Sequence, residues 1–372
     1  MTKRLLCFIY LLTLGVTAFP LTSPNDPDML YEYRIAGLNR ISPVELVYNA
    51  DVRKYIDLFT GPRREDMARV IGMSELYFPI FDEILDRHGL PLELKYLTVI
   101  ESGLNPLATS KSGAVGLWQF LLNTGRLFDL EITSMVDERS DPYKSTEAAS
   151  RYLAYLYTTF HDWQLVLSSY NGGPGEVRKA IERCHGETDY WKLRPYLSDQ
   201  AKNYVPAFVA AIYILNFYKE HGIVPVKPDY DYFHTDTLHI RYAVSFSQVA
   251  SEIGLDIDHI RMLNPVYKRD YIPARNTYSL LVLPADKTGI YLKNEVNILG
   301  FTPPPADYNQ LVAQAGNTDG RTKIIHVVQA GEFTHKIAIM YNVTLENIRA
   351  WNQLPGNEVK AGQKLVIWID GE

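Results

Sequence analysis

The most restrictive feature of this chain is that part of it occurs twice. Residues 249–264 align without a gap on residues 337–352, at an offset of 88. Val249-Ala250 matches Ile337-Ala338, Leu255 matches Val343, Ile257 matches Leu345, and Ile260-Arg261-x-x-Asn264 matches Ile348-Arg349-x-x-Asn352. Self-similarity at a fixed period marks two copies of one supersecondary unit. In the first copy, helical runs at 246–253 and 257–264 lie between strand-like runs at 237–242 and 278–283. In the second, helical runs at 333–341 and 344–352 lie between 323–328 and 364–369. The pattern predicts two small βααβ modules, at 234–285 and 323–369. Residues 301–322, opening Phe301-Thr302-Pro303-Pro304-Pro305, read as a linker.

The chain before the repeat reads differently. Between residues 75 and 222 it shows helical periodicity at 76–87, 92–102, 146–160, 163–170, 176–184 and 202–218. Gly89, Gly172 and Gly222 stand where helices stop. This region is expected to be an all-α domain. Residues 29–74 are amphipathic and are expected to form a helical brace leading into it, with Val44, Leu46, Val47, Val52, Tyr55, Ile56 and Leu58 as apolar contacts.

Glu101 closes an apolar run in this region. Leu94 and Leu97 stand seven and four residues before it, on the same helical face. A carboxylate on a buried stripe is costly unless paired or protonated. The negative end of the helix dipole raises its pKa further. A glutamic acid so raised suits general-acid work. From Ser102 through Phe128 there is no Asp or Glu. Most glycosidases use two carboxylates, so either a partner arrives from far along the chain or the chemistry needs only one. The competing reading is a helix-ending Glu bonded to nearby backbone.

The residues that follow carry a signature. They read Glu101-Ser102-Gly103, then Ser110-Lys111-Ser112-Gly113-Ala114-Val115-Gly116-Leu117-Trp118-Gln119-Phe120. Ser169-Tyr170-Asn171-Gly172-Gly173-Pro174-Gly175 and Asn203-Tyr204-Val205-Pro206 come after it in order. Together these motifs resemble the lytic transglycosylases with an SLT domain, most closely the membrane-bound transglycosylase D-like group, in which LysM modules follow the catalytic part. The resemblance implies an all-α lysozyme-like catalytic domain followed by small α+β (βααβ) LysM modules.

It also implies a mechanism. Glu101 would be the sole acid/base, protonating the glycosidic oxygen between MurNAc and GlcNAc. It would then take the proton of the C6 hydroxyl as that hydroxyl closes a 1,6-anhydro ring. Ser102, Gln119, Tyr170, Asn171 and Tyr204 would bind substrate or position Glu101. Gly113 and Gly116 would let backbone approach sugar, and Trp118 and Phe120 either stack on sugar or pack in the core. Ser102 reads alternatively as an ordinary helix-ending Ser, and Asn171 as a helix cap. The family commonly has Glu-Thr before the last motif, where this chain has Gln200-Ala201. The second copy resembles a LysM module, with Phe333-Thr334 where a small hydroxyl and Leu are usual. The first lacks the Gly-Glu opening and is expected to be degenerate, packing on the catalytic domain.

Two other functions stay open at this point. A goose-type lysozyme would hydrolyse the same bond with a second carboxylate, for which Asp129, Asp137 and Asp141 are the nearest candidates. A non-catalytic wall-binding protein would need no acid at all. The net charge of -6 shows no basic stripe and argues against nucleic acid. The nine His lack ligand spacing, so no metal and no cofactor are expected. Partners are expected to be peptidoglycan glycan strands, with oligomeric state left open.

Residues 1–18 read as a secretory signal peptide, with Lys3 and Arg4 before an apolar run and Val16-Thr17-Ala18 as cleavage site. This predicts export to the periplasm or cell envelope of a bacterium. An uncleaved membrane anchor is the alternative. Cleavage would leave Cys184 alone, unable to form an internal disulfide.

Overall fold

The computed structural model describes residues 27–228, 234–275, 278–300, 321–328, 332–341 and 343–370. The expected signal peptide and most of the expected linker lie outside the described residues.

The first part is helical. α1 (Pro27–Asn39), α2 (Ala50–Thr60) and α3 (Arg64–Arg87) precede a 3₁₀ turn (Leu92–Tyr96) and α4 (Leu97–Ser102). α5 (Leu122–Leu127), α6 (Pro142–Phe160), α7 (Trp163–Gly172), α8 (Pro174–Arg183), α9 (Tyr190–Leu193) and α10 (Ala201–Phe217) follow. Local sequence explains several starts. Asn49 accepts from the backbone N–H groups of Asp51 and Val52 at the head of α2. Asp141 does the same for Tyr143 and Lys144 at α6, with Pro142 in the first turn.

The expected boundary at 74/75 falls inside α3, which runs unbroken through it. The N-terminal helices share one apolar core with the later helices. Tyr31, Ile35, Val52 and Ile56 share one buried apolar cluster with residues of α10 such as Phe208 and Ile212. Arg34 also donates to the Tyr213 hydroxyl at 2.8 Å, tying α1 to α10.

The strands come after residue 234. β1 (Thr235–Ile240), β2 (Val244–Ser245), α11 (Phe246–Ile253), α12 (Ile257–Leu263), β3 (Tyr271–Ile272), β4 (Ser279–Pro284) and α13 (Ala285–Leu299) form the first module. β5 (Arg321–Val327), α14 (Thr334–Met340), α15 (Leu345–Asn352) and β6 (Lys364–Asp370) form the second. β1 pairs antiparallel with β4, Thr235 opposite Pro284 and Ile240 opposite Ser279. β5 pairs antiparallel with β6, Arg321 opposite Asp370 and Val327 opposite Lys364. Two expected bounds shift. β5 begins at Arg321, inside the span expected as linker. Helix α13 was not expected; it buries Tyr291 and Ile298 in the first module's core while exposing Ile290, Leu292 and Val296.

The repeat has a structural counterpart in one asparagine of each copy, Asn264 buried and Asn352 half-buried. The Asn264 side chain donates to the carbonyls of Ile260 and Val282 and accepts from Val282 N–H at 2.7 Å. Asn352 does the same with Ile348 and Val366, accepting at 2.6 Å. Each asparagine clamps the end of the second helix to the closing strand, which leaves none of that strand's polar groups unsatisfied at the clamp.

The first module is joined to the helical domain through shared core. Val136, from the loop before α6, is buried in the module's apolar cluster. Leu263 of the module in turn belongs to the helical domain's cluster. Asp137 N–H donates to Val266 O at 2.8 Å, Lys268 N–H to Met135 O at 2.9 Å, and Arg275 pairs with Glu131 at 2.8 Å.

Candidate active site

Glu101 is the penultimate residue of α4, and Gly103 ends that helix in the left-handed conformation at φ 59°. The run expected to be one helix is a 3₁₀ turn followed by α4. Leu94 and Leu97 are nonetheless both fully buried. Glu101 itself is half-buried. Its Oε1 accepts a 2.5 Å hydrogen bond from the Tyr204 hydroxyl, 103 residues along the chain. Burial pushes the Glu101 carboxyl up to about 7, and the Tyr204 bond opposes that rise. The carboxyl therefore holds its proton close to neutral pH.

Tyr204 is placed by its own motif. Pro206 lies inside α10 and has no N–H to give the carbonyl of Lys202. That carbonyl is satisfied instead by the Tyr190 hydroxyl at 2.7 Å and the Arg194 Nε at 2.6 Å. Gly172 lets α7 approach α10: a β-carbon there would stand 3.1 Å from that of Ala201 and 2.6 Å from Glu176. The departure from the family pattern at Gln200-Ala201 thus places a small side chain at a close helix crossing.

The other expected site residues gather on the segment 108–120. Tyr170 donates its hydroxyl to Trp118 O at 2.7 Å. Ser102 Oγ lies 3.0 Å from Thr98 O and 2.9 Å from Leu117 O, tying α4 to that segment rather than bonding Glu101. Gln119 adopts φ 51°, a strained conformation for a residue with a side chain. Its amide nitrogen donates to Gly116 O at 2.8 Å and Ala108 O at 3.2 Å. Burial, and after it the Glu101 carboxylate, push the Tyr170 and Tyr204 hydroxyls well above their ordinary value of 10.0. Both tyrosines thus feel the charge on Glu101.

Asn171 lies within α7, which ends on Gly173, so it is not the cap. Its Oδ1 is buried and has no hydrogen-bond partner. Trp118 and Phe120 are buried, and Trp118 Nε1 donates to Thr146 Oγ1 at 2.8 Å. Both pack in the core. Gly116, at φ 86°, makes room for protein rather than sugar, since a β-carbon would stand 1.8 Å from Arg139 O.

Arg139 is the residue that sequence reasoning missed. It is buried, and its Nη1 donates to Gly113 O at 2.9 Å and Phe120 O at 3.0 Å. It thereby ties the middle of the signature segment to its end, while Asp137 binds its Nε and Nη2 at 2.8 and 2.7 Å. No periodicity announces such a long-range clamp; a buried charged pair shows only in three dimensions.

Asp137 is committed to that pair. Asp141 caps α6. Asp129 is exposed and pairs with Arg151 at 2.9 Å. Among the described residues, no cluster of His, Cys, Asp and Glu side chains is arranged to hold a metal ion. Cys184 and His185 follow α8 away from these residues in sequence, and no bond joins them among the described contacts.

Comparison with known proteins bears on most of the chain. Residues 79–192 match the family described as Transglycosylase SLT domain. Residues 234–299 match Lytic transglycosylase MltD, LysM-like domain, and residues 326–368 match LysM domain. The chain is 30% identical over 285 residues to the membrane-bound lytic murein transglycosylase D of Escherichia coli K12, covering 76% of this chain and 61% of that protein. It thus spans less than two thirds of that relative's length. It is 28% identical over 156 residues to the membrane-bound lytic murein transglycosylase F of Pectobacterium atrosepticum, covering 37% of this chain and 31% of that one. The 70 kDa soluble lytic transglycosylase of Escherichia coli is 22% identical over 40% of this chain and 26% of that chain, with a TM-score of 0.33. The chain is an SLT domain followed by a LysM-like domain and a LysM domain.

Proposed function

We propose that the protein is a peptidoglycan lytic transglycosylase of the bacterial cell envelope. It cleaves the MurNAc-β-1,4-GlcNAc bond without water and leaves 1,6-anhydro-MurNAc ends. The observation that carries this reading is the half-buried acid Glu101, its carboxyl pushed up to about 7 and bonded at 2.5 Å by Tyr204.

Glu101 donates its proton to the glycosidic oxygen as the bond to C1 breaks. The carboxylate left behind is stabilised by the Tyr204 hydroxyl, because a hydrogen bond to an ionised acceptor is stronger than one to a neutral acid. Tyr204 thus favours the state reached after proton transfer. Glu101 then accepts the C6 hydroxyl proton as that oxygen attacks C1, so the acid is regenerated and the atoms balance with no water added. The unpartnered Oδ1 of Asn171 is suited to accept a substrate N–H, such as that of an acetamido group. Gln119, Tyr170 and Ser102 fix the shape of the segment against which the strand lies. Residues 326–368 hold the enzyme on peptidoglycan.

The hydrolase reading is weaker, because Asp137 and Asp141 are engaged in an ion pair and a helix cap, and Asp129 pairs with Arg151. Digestion of purified peptidoglycan tests the assignment. Glu101→Gln is expected to slow muropeptide release by about 10²–10⁴-fold, the range for a lost general acid. Release at the wild-type rate would refute it.

A further inference from the structure

The first module contributes Lys268 to the rim of a cavity beside the signature segment. This cavity, of about 540 Å³, is lined by Ser112, Leu121, Leu122, Asn123 and Ile132 of the helical domain and by Lys268 of the module. That volume lies within the range of ligand pockets, ~300–1,000 Å³. Its place is set by contacts already described. Gly113 and Phe120 are held from behind by Arg139, while Leu117 O and Trp118 O on the same segment engage Ser102 and Tyr170. The cavity therefore adjoins the segment that positions the Glu101 site. A larger cavity, of about 900 Å³, lies between the two modules and α6, and Glu101 lines neither.

The chemistry of the smaller cavity is amphipathic. Leu121 and Leu122 are 47% and 41% exposed and give the cavity an adjacent aliphatic pair. Lys268 is exposed, and its ammonium donates to Thr133 O at 3.2 Å, leaving two further protons. Among the described residues no carboxylate pairs with it. Arg139, the other cation, is bound up with Asp137. The free charge is thus a single positive one, in a chain whose net charge is -6. The lining named here has no aromatic ring to stack on a sugar, but offers aliphatic surface, hydroxyls and a side-chain amide.

The geometry points to a subsite for the peptide stem of the substrate strand. A short peptide of small apolar residues bearing carboxylates matches the leucine pair and Lys268, and it is attached to the same sugar whose bond is cleaved. This inference rests on the transglycosylase reading above. It gives the first module a task different from that of the second: it supplies the specificity residue Lys268.

The test compares soluble glycan strands that carry stems with the same strands stripped of peptide by an amidase, using the full chain. Lys268→Glu is expected to lower kcat/KM on stem-bearing strands by about three- to tenfold, the scale of an exposed charge contact, mainly through KM. Rates on stripped strands should not change, and Lys268→Arg should restore most of the loss. Leu122→Ser is expected to act in the same direction. An equal fall on both substrates, or none on either, would overturn the subsite while leaving the transglycosylase reading intact. Wild-type protein inactive on both strands would overturn the two together.

Discussion

The two LysM-type modules share a topology and an asparagine clamp, yet they have different relations to the rest of the molecule. The first has lost its boundary. Val136 of the helical domain sits in its core, Leu263 sits in the helical domain's core, and two backbone hydrogen bonds cross between them. The second keeps a core of its own, built from Val328, Ile337, Leu345, Ile348, Leu365 and Ile367. Among the described residues its contacts with the first module include two half-buried polar pairs, His239–Glu346 at 2.9 Å and Asn357–Asp236 at 2.6 Å. Shared apolar burial couples the stability of two units more strongly than a few polar pairs do. The same fold can therefore be absorbed into a neighbouring domain or keep a core of its own, depending on which faces it gives up.

The largest expected effect separates the two directly. Val136→Asp places a charge in the shared core and should destabilise the main unfolding transition by about 4 kcal/mol. Ile348→Asp should abolish the second module's own transition and leave the main one where it was. Calorimetry that shows both substitutions shifting one common transition would break the distinction.

The main transition should also report on Glu101. The folded carboxyl keeps its proton up to about pH 7, against an ordinary value of 4.5. Its contribution to stability is full below pH 4.5 and is lost as pH rises through 7. Relative to Glu101→Gln, the wild type should lose about 3 kcal/mol between these limits. Denaturant titrations at pH 4.5 and 8 showing a constant difference would contradict the raised acid (pH values chosen to bracket about 4.5 to 7). Tyr204→Phe removes the bond that opposes the rise, so the alkaline limb of the activity profile should move to higher pH.

A smaller effect concerns binding. Deleting residues 321–372 should weaken pelleting with insoluble peptidoglycan and change activity on short soluble strands by less than about twofold, because the deleted core touches no residue of the Glu101 site. The smallest concerns the contact between modules. His239→Ala should alter the main transition by less than about 1 kcal/mol, as for a single half-buried ion pair. A larger shift would mean that the second module is docked more firmly than its polar contacts account for.

What could be read from sequence follows the same division. The repeat was legible because Ile260, Asn264 and their counterparts Ile348 and Asn352 face a local core with helical spacing. Glu101 and its motifs were legible because the signature is contiguous. The fusion of the first module was expected only in outline, since nothing in Val136 or Leu263 announces a partner from the other unit. Arg139 and the close approach at Gly116 were not legible at all, because each depends on backbone from a distant segment. Helix α13 escaped notice because its buried Tyr291 and Ile298 are interleaved with exposed Ile290, Leu292 and Val296, which blurs the apolar stripe. Trp118 could be read as a sugar platform or as core, and only burial decides for core.

The central claim is that one acid performs both proton transfers without water. The most direct measurement is the mass of the sugar ends released from purified peptidoglycan by the wild type and by Glu101→Gln. Ends lighter by one water, formed by the wild type and missing from the Glu101→Gln digest, are the predicted result. Reducing ends from the wild type would contradict the account and require a second carboxylate to activate water.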